Sequence, residues 1–356
     1  VNALVKPSMR GVKPYAAPAR SGPNDLLLDL NEGAPLVSDA WLAGVARSLG
    51  ARGVRRYPDA SALESELAGR LGVEQDGVVV TNGGDDAIDR ICRICLGPGD
   101  SIVLPTPSFE MIARSAGLAG GAVKRVPWMG GVFPVQRVID SCDDTTRCVA
   151  VVSPNNPTGA VVSPEALTHL GRSLPGVLLM VDLAYTEFAD VDLTGTALSL
   201  PNAVIVRTFS KAYGLAGLRL GYAVGPRHVV DAMRAAGGPF PCSALSLAAG
   251  GAALGIPPDS VRAGLDRVRL ERREMASLLR SGGAEVLESQ ANFLLARFGD
   301  AESVWRALGE RGIRVKRFAD PAMHGWLRIG CPGDPADFAR LTEGLSAVLR
   351  TREGAR

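Results

Sequence analysis

Residues 208–225 read TFSKAYGLAGLRLGYAVG. They continue from AVIV, an apolar β-branched run that predicts a buried strand, so Lys211 falls just past a strand end in a turn rich in Gly and Ala. Arg219 then opens a second apolar strand, eight residues beyond the lysine. Upstream, short apolar runs recur at GVVVT (from 77), SIVLP (from 101), CVAVVSP (from 148) and VLLMVD (from 177), with helical patterns between them. That alternation predicts an α/β fold with a mostly parallel sheet wrapped by helices, because parallel strands covered on both faces read as unbroken apolar runs. Ligands of such sheets bind outside the carboxyl ends of the strands, which is where Lys211 is expected. A lysine desolvated there loses its proton more readily and attacks a carbonyl to form a Schiff base.

Beyond the Pro/Gly cluster GGPFP (237–241) the pattern changes to long helical segments, clearest in VRAGLDRVRLERREMASLLR from 261, followed by short strands at ANFLLARF, GIRVKRF and WLRIG. The expected organisation is a large α/β domain over 41–237, a smaller α+β domain over 238–356, and an N-terminal segment, 1–40, that joins the smaller one. A length of 356 residues suits about two such units. With 46% hydrophobic and 21% charged residues the chain is expected to be globular and soluble rather than disordered. Its 39 basic and 37 acidic residues nearly cancel, and no basic run is interleaved with aromatics, so nucleic acid is not an expected partner. The opening VNALVKPSMR lacks the apolar centre of a signal peptide, and no stretch has the roughly 18 consecutive apolar residues of a spanning helix. A cytoplasmic location is expected.

Six cysteines are too sparse for a disulfide scaffold in this length. Cys92 and Cys95 form a C-x-x-C, but inside AIDRICRICL they fall on an apolar helical stripe and read as core. His169, His228 and His324 are scattered without ligand spacing, so no metal is expected. TNGGDDAID, 81–89, leads from a strand into a helix, where backbone N–H groups of Gly83, Gly84 and Asp85 suit a phosphate, with the aspartate side chain turned away as a cap. Asp182 ends an apolar strand.

Together these segments resemble the fold-type I pyridoxal-phosphate aminotransferases, in the branch around histidinol-phosphate aminotransferase, from KPY at 13 to LRIG at 327. The resemblance implies a pyridoxal 5'-phosphate cofactor bound to Lys211 as a Schiff base, with the freed lysine later moving the proton at the substrate carbon. Thr208, Ser210 and Arg219 correspond to ligands of the cofactor phosphate, and Asp182 to the partner of the ring nitrogen, whose protonation makes the ring an electron sink. Tyr185 in VDLAYTEF and Asn156 in SPNNPTG correspond to the pair meeting the ring oxygen, though NNPTG by itself reads equally as a turn. Phe109 in PTPSFEMI corresponds to the ring-stacking aromatic, with a core role as the alternative. Tyr57 in RRYPD matches a tyrosine that reaches the neighbouring subunit's cofactor phosphate, which implies a homodimer. On the substrate side the resemblance assigns Arg328 to the α-carboxylate, and gives roles to Asn31, Tyr15 and Lys316, with Asn292 in support.

Four departures fall near the substrate end. Asn31-Glu32-Gly33-Ala34-Pro35 replaces N-E-N-P-x-G, Leu183 interrupts D-E-A-Y, Ile112 replaces a tyrosine, and Lys316 stands where an arginine reading the substrate phosphate is usual. Arg314 and Arg317 lie close by, and strand alternation puts Arg314 and Lys316 on one face. The expected activity is histidinol-phosphate/2-oxoglutarate transamination. Alternatives are transamination of an aromatic or specialised-pathway amino acid, a threonine-phosphate decarboxylase, and a sensor that keeps the fold without turnover.

Overall fold

The computed structural model of the chain describes Met9, residues 12–15, Gly22, residues 24–34 and residues 36–353. Apart from Met9, the opening VNALVKPSMR lies outside the described residues, as do Pro35 and part of the 1–40 segment.

The Val-rich runs form a seven-stranded sheet in the spatial order Val78–Thr81, Gly221–Val224, Ala203–Thr208, Leu178–Asp182, Thr146–Val152, Ser101–Thr106, Ala122–Pro127. Gly221–Val224 is antiparallel to both neighbours and every other pairing is parallel. Alternate residues face opposite ways along each strand, and both faces are covered. Val78, Val80, Val149, Val151, Val181 and Ile205 pack in one buried cluster, while Val79, Ala150, Val152, Met180, Val204 and Val206 pack in another on the reverse face. Full burial of one such side chain is worth about 1.5–3 kcal/mol, so these strands are the main stabilising element of the unit. The helices on the sheet carry ordinary start signals: Ser163 and Ser243 accept from Ala166 N–H and Ser246 N–H at the first turns of Pro164–Ser173 and Ala244–Leu254.

A third buried cluster gathers Leu26, Leu28, Val268, Met275, Leu279, Phe293 and Leu327, around the long helix Pro258–Ser281 and an antiparallel sheet ordered Lys316–Arg317, Trp326–Gly330, Phe293–Arg297, Glu285–Val286. Leu26–Leu27 pairs in parallel with Ile313–Arg314. Tyr185, Phe188 and Ala212 belong to this same cluster, so the two cores meet beside the Lys211 turn.

Three expectations need correction. No change of core occurs at 237: Cys242, Ala253 and Leu254 still pack in the cluster of Val78 and Ile205, because the apolar helix Ala244–Leu254 lies on the large unit. We propose that the division falls near Gly255. Arg219 does not open a strand; it follows the short turn Ala216–Leu218 with φ +51°, and the strand begins at Gly221. GIRVKRF is not one strand. Arg314 and Lys316 lie in different sheets, separated at the buried Val315, and Arg314 binds Asp25 at 2.8 Å.

Candidate active site

The carboxyl ends of the strands at 78–81, 101–106, 146–152, 178–182 and 203–208 share one edge of the sheet, and the antiparallel strand starts there at Gly221. This common edge brings the loops of Gly83, Phe109, Asn156, Asp182, Lys211 and Arg219 together from stretches far apart in sequence.

At one end of the edge, Gly83 and Gly84 begin the helix Gly83–Cys95, whose first N–H groups have no partner within the helix. Arg219 lies directly over Gly83: a Cβ there would stand 2.7 Å from Arg219 Nη2, and Gly83 has φ +76°. The positive φ is what favours glycine at that position, since the guanidinium is the end of a flexible, half-exposed side chain. Thr208 Oγ1 donates to Ser210 Oγ at 2.9 Å, which turns both hydroxyls to the same side of the loop. Asp85 is not a cap. Its carboxylate pairs with Arg219 at 3.1 Å, with both side chains half exposed, and the carboxylate that binds the turn, at Asn82 N–H, is that of Asp86.

In the middle, Lys211 Nζ donates to the carbonyls of Leu30 and Asn31, both at 2.9 Å, and lies 5.7 Å from the Tyr185 ring centre. Burial and then the charge of Arg328 bring its ammonium down to about 8. A substantial fraction is therefore neutral near pH 7 to 8. Asp182 is 4% exposed and accepts Ala184 N–H at 3.0 Å; burial pushes its carboxyl up to about 6. Buried Tyr185 accepts from Asn31 Nδ2 at 3.2 Å and sits edge-on to Phe293, and burial raises its hydroxyl above the ordinary value. Phe109 precedes the helix Glu110–Ala119 and packs partly on the cluster of Ile112 and Ala116, so part of its surface is core.

At the other end, Arg328 Nη1 donates to Asn156 Oδ1 and Nη2 to Asp29 O, both at 2.5 Å. Asn292 Nδ2 donates to the carbonyls of Asn31 and Glu32. Arg328 Nε, Asn31 Oδ1 and Asn292 Oδ1 are buried without a hydrogen-bond partner among the described residues. Unpaired buried polar groups cost about 1–3 kcal/mol each, so these three atoms, on residues that surround Tyr185 and Phe293, are candidates to meet a polar ligand. Tyr15 shares these surroundings, its hydroxyl raised by burial and by Glu110 while Arg328 opposes the shift. Lys316 pairs in register with Arg328 on the adjacent strand. Arg317 is committed elsewhere, ion-paired with Glu302 and stacked on Trp305. Tyr57 stands apart, 81% exposed and stacked on Phe240 at 4.5 Å.

Sequence reading missed the part of Gly33 and Gly214. A Cβ on Gly33 would lie 1.8 Å from the Lys211 carbonyl, and one on Gly214 2.4 Å from that of Ala34, so the segment before the first helix seats its backbone against the lysine turn. Nothing in the local pattern signals this, since the contact joins residues some 180 apart in the chain. Cys92 and Cys95 are inert by position: burial pushes their thiols up to about 12 and about 11. Among the described residues no group of His, Cys, Asp or Glu could hold a metal ion, and no helix is long and apolar enough to cross a membrane.

The family model for aminotransferase class I and II matches residues 24–345. The chain belongs to the class I and II aminotransferases. It is 34% identical over 313 residues to histidinol-phosphate aminotransferase of Paracoccus denitrificans, covering 86% of this chain and 85% of that one. It is 34% identical to an aromatic amino acid aminotransferase of Mycobacteroides abscessus, over 96% of this chain and 98% of that one. In structure it resembles histidinol-phosphate aminotransferase of Sinorhizobium meliloti, solved with pyridoxal-5'-phosphate, at a TM-score of 0.88 and 23% identity over 99% of both chains. This aminotransferase therefore has the fold-type I architecture and uses pyridoxal phosphate, and the sensor reading falls. Its donor set fits that cofactor. Helix-start amides, two hydroxyls and a guanidinium suit a phosphate dianion, an isolated carboxylate suits a ring N–H, and a lysine of lowered basicity lies between them.

Proposed function

We propose that this aminotransferase moves an amino group between glutamate and the oxo partner of histidinol phosphate, in a ping-pong cycle. The observation that carries the proposal is the register pairing of Lys316 with Arg328. Paired residues of antiparallel strands project on the same face, so two cations flank one place. Histidinol phosphate carries its phosphate ester where an α-amino acid has its carboxylate. One site with two cations then serves glutamate's carboxylate in one half-reaction and the phosphate in the other.

When bound, pyridoxal phosphate supplies an aldehyde for an amine to condense with and a ring that withdraws electrons. Lys211 is the amine for that condensation and afterwards the base that takes and returns the proton at the substrate carbon. Its lowered basicity supports this role, since a neutral amine is needed for both tasks. Asp182 holds a proton on the ring nitrogen. Tyr185 and Asn156 donate towards the ring oxygen; Asn156 turns Oδ1 to Arg328, which leaves Nδ2 as its donor end. Gly83, Gly84, Asp85, Thr208, Ser210 and Arg219 hold the phosphate through amides, hydroxyls and guanidinium, and Phe109 covers the ring with its unburied face. Arg328 receives the substrate anion with Lys316, while Asn31 and Tyr15 border it. We further propose a homodimer in which Tyr57 completes the neighbouring phosphate site, consistent with its exposure beside half-exposed Phe240. Histidine biosynthesis in the cytoplasm goes with this reaction.

A second reading, an aromatic amino acid as substrate, is favoured by Lys316 itself. Lysine is a point charge without the planar fork with which arginine grips phosphate in two bonds, and neither Arg314 nor Arg317 is free to replace it. The test is kcat/KM for histidinol phosphate against histidine, phenylalanine and tyrosine. A preference of about a hundredfold or more for the ester, roughly 2.7 kcal/mol, is the result expected of the first reading. Equal or better use of phenylalanine or tyrosine replaces it with the second.

A further inference from the structure

Behind the proposed phosphate cradle lies an ion pair that none of the roles above uses. Asn82 occupies the N-cap position of the helix Gly83–Cys95, yet its side chain accepts nothing from the helix. Instead the carboxylate of Asp86, a turn into the helix, reaches back and accepts Asn82 N–H at 2.9 Å. Asp86 is itself gripped by Arg90, whose Nε and Nη2 donate to its two oxygens at 3.0 and 2.7 Å. Arg90 is only 2% exposed. It packs against Gly237, where a Cβ would stand 2.2 Å from the guanidinium carbon, so the guanidinium occupies the space a side chain would take there. Thr81 Oγ1 donates to Gly83 O at 2.9 Å and ties down the other side of the turn.

From this geometry we infer that Asp86 and Arg90 are positioning residues for the cofactor's phosphate. They touch no ligand. The bidentate grip fixes the Asp86 carboxylate on Asn82 N–H, which sets the path of the backbone through Gly83 and aims the following amides outward. It also neutralises and holds back a carboxylate that would otherwise compete with a phosphate for those amides. The inference rests on the phosphate lying at this helix start, and its test separates the two claims.

The measurement is the dissociation constant of the full chain for pyridoxal phosphate and for pyridoxal, which lacks only the phosphate. The change of their ratio between variants isolates the phosphate end, because the ring contacts, the lysine and the internal hemiacetal that free pyridoxal forms are the same for every variant. The wild type is expected to prefer the phosphorylated form by about a hundredfold or more, and Asp86→Asn to lose about tenfold of that preference with pyridoxal binding little changed. The sign is informative: removing a negative charge near a dianion strengthens binding if charge alone matters, whereas loss of positioning weakens it. Asp86→Asn strands a buried cation and can unfold the chain. The double variant Asp86→Ala with Arg90→Met removes both charges, leaves the net charge unaltered, and is expected to lose the same preference. A ratio kept at the wild-type level in folded variants overturns the positioning role and leaves the cradle intact. A wild type that binds both compounds equally overturns the cradle and the inference with it.

Discussion

Asp182 ends the strand Leu178–Asp182 with its carboxylate almost wholly withdrawn from water, a position that raises its pKa to about 6 in the protein alone. A buried carboxylate is stabilised by a cation placed against it, and a protonated ring nitrogen is such a cation. Asp182→Asn keeps the shape and a hydrogen bond but not the charge. Cofactor retention should therefore fall less than rate, with about 2–4 kcal/mol lost from the transition state. The check is single-turnover kinetics with glutamate beside a cofactor titration; a rate reduced less than about threefold would falsify the ring-nitrogen role. The same reasoning explains why Arg328, buried and with Nε unpartnered, is a better anion receiver than a surface arginine: its desolvation has been met by the fold, so a ligand's charge is weakly screened there.

The elements legible in the sequence were those whose two faces are both buried. AVIV, VLLMV and CVAVV read as strands because nothing polar interrupts them, and the residues that follow them inherit a place at one sheet edge. Ala122–Pro127 left no such trace, since an edge strand with Lys124 and Arg125 is partly exposed and lacks the apolar run. GIRVKRF misled because a continuous β-like pattern does not disclose that the chain changes sheets at Val315, giving Arg314 to Asp25 and Lys316 to the row of Arg328. The boundary at GGPFP misled for a related reason: Pro and Gly mark a turn, but which core the next helix covers depends on packing, here against the large unit. Within the site, hydroxyls, carboxylates and the lysine carried recognisable spacing. Gly33, which presses on the Lys211 carbonyl, and Asp86 with Arg90, whose i,i+4 spacing is common on any helix, take their meaning only from what folds against them.

At the scale of the whole molecule, one chain supplies every proposed cofactor contact except Tyr57, which points its ring at Phe240 on the surface. A homodimer is expected in light scattering, and inactive Lys211→Ala chains mixed with inactive Tyr57→Ala chains are expected to regain activity as subunits exchange. A fully active monomer contradicts that arrangement. The proposed reaction turns on the covalent chemistry of one amine. The chain has five lysines, Lys6, Lys13, Lys124, Lys211 and Lys316, and among the described ones Lys211 is placed at the shared strand edge with its basicity lowered to about 8. Reduction of the resting enzyme with borohydride, followed by peptide mapping in a mass spectrometer, fixes the cofactor to whichever lysine holds it. The label is expected on the peptide containing Lys211 and on no other; a label on Lys316 or another lysine, or none at all, contradicts the assignment of Lys211.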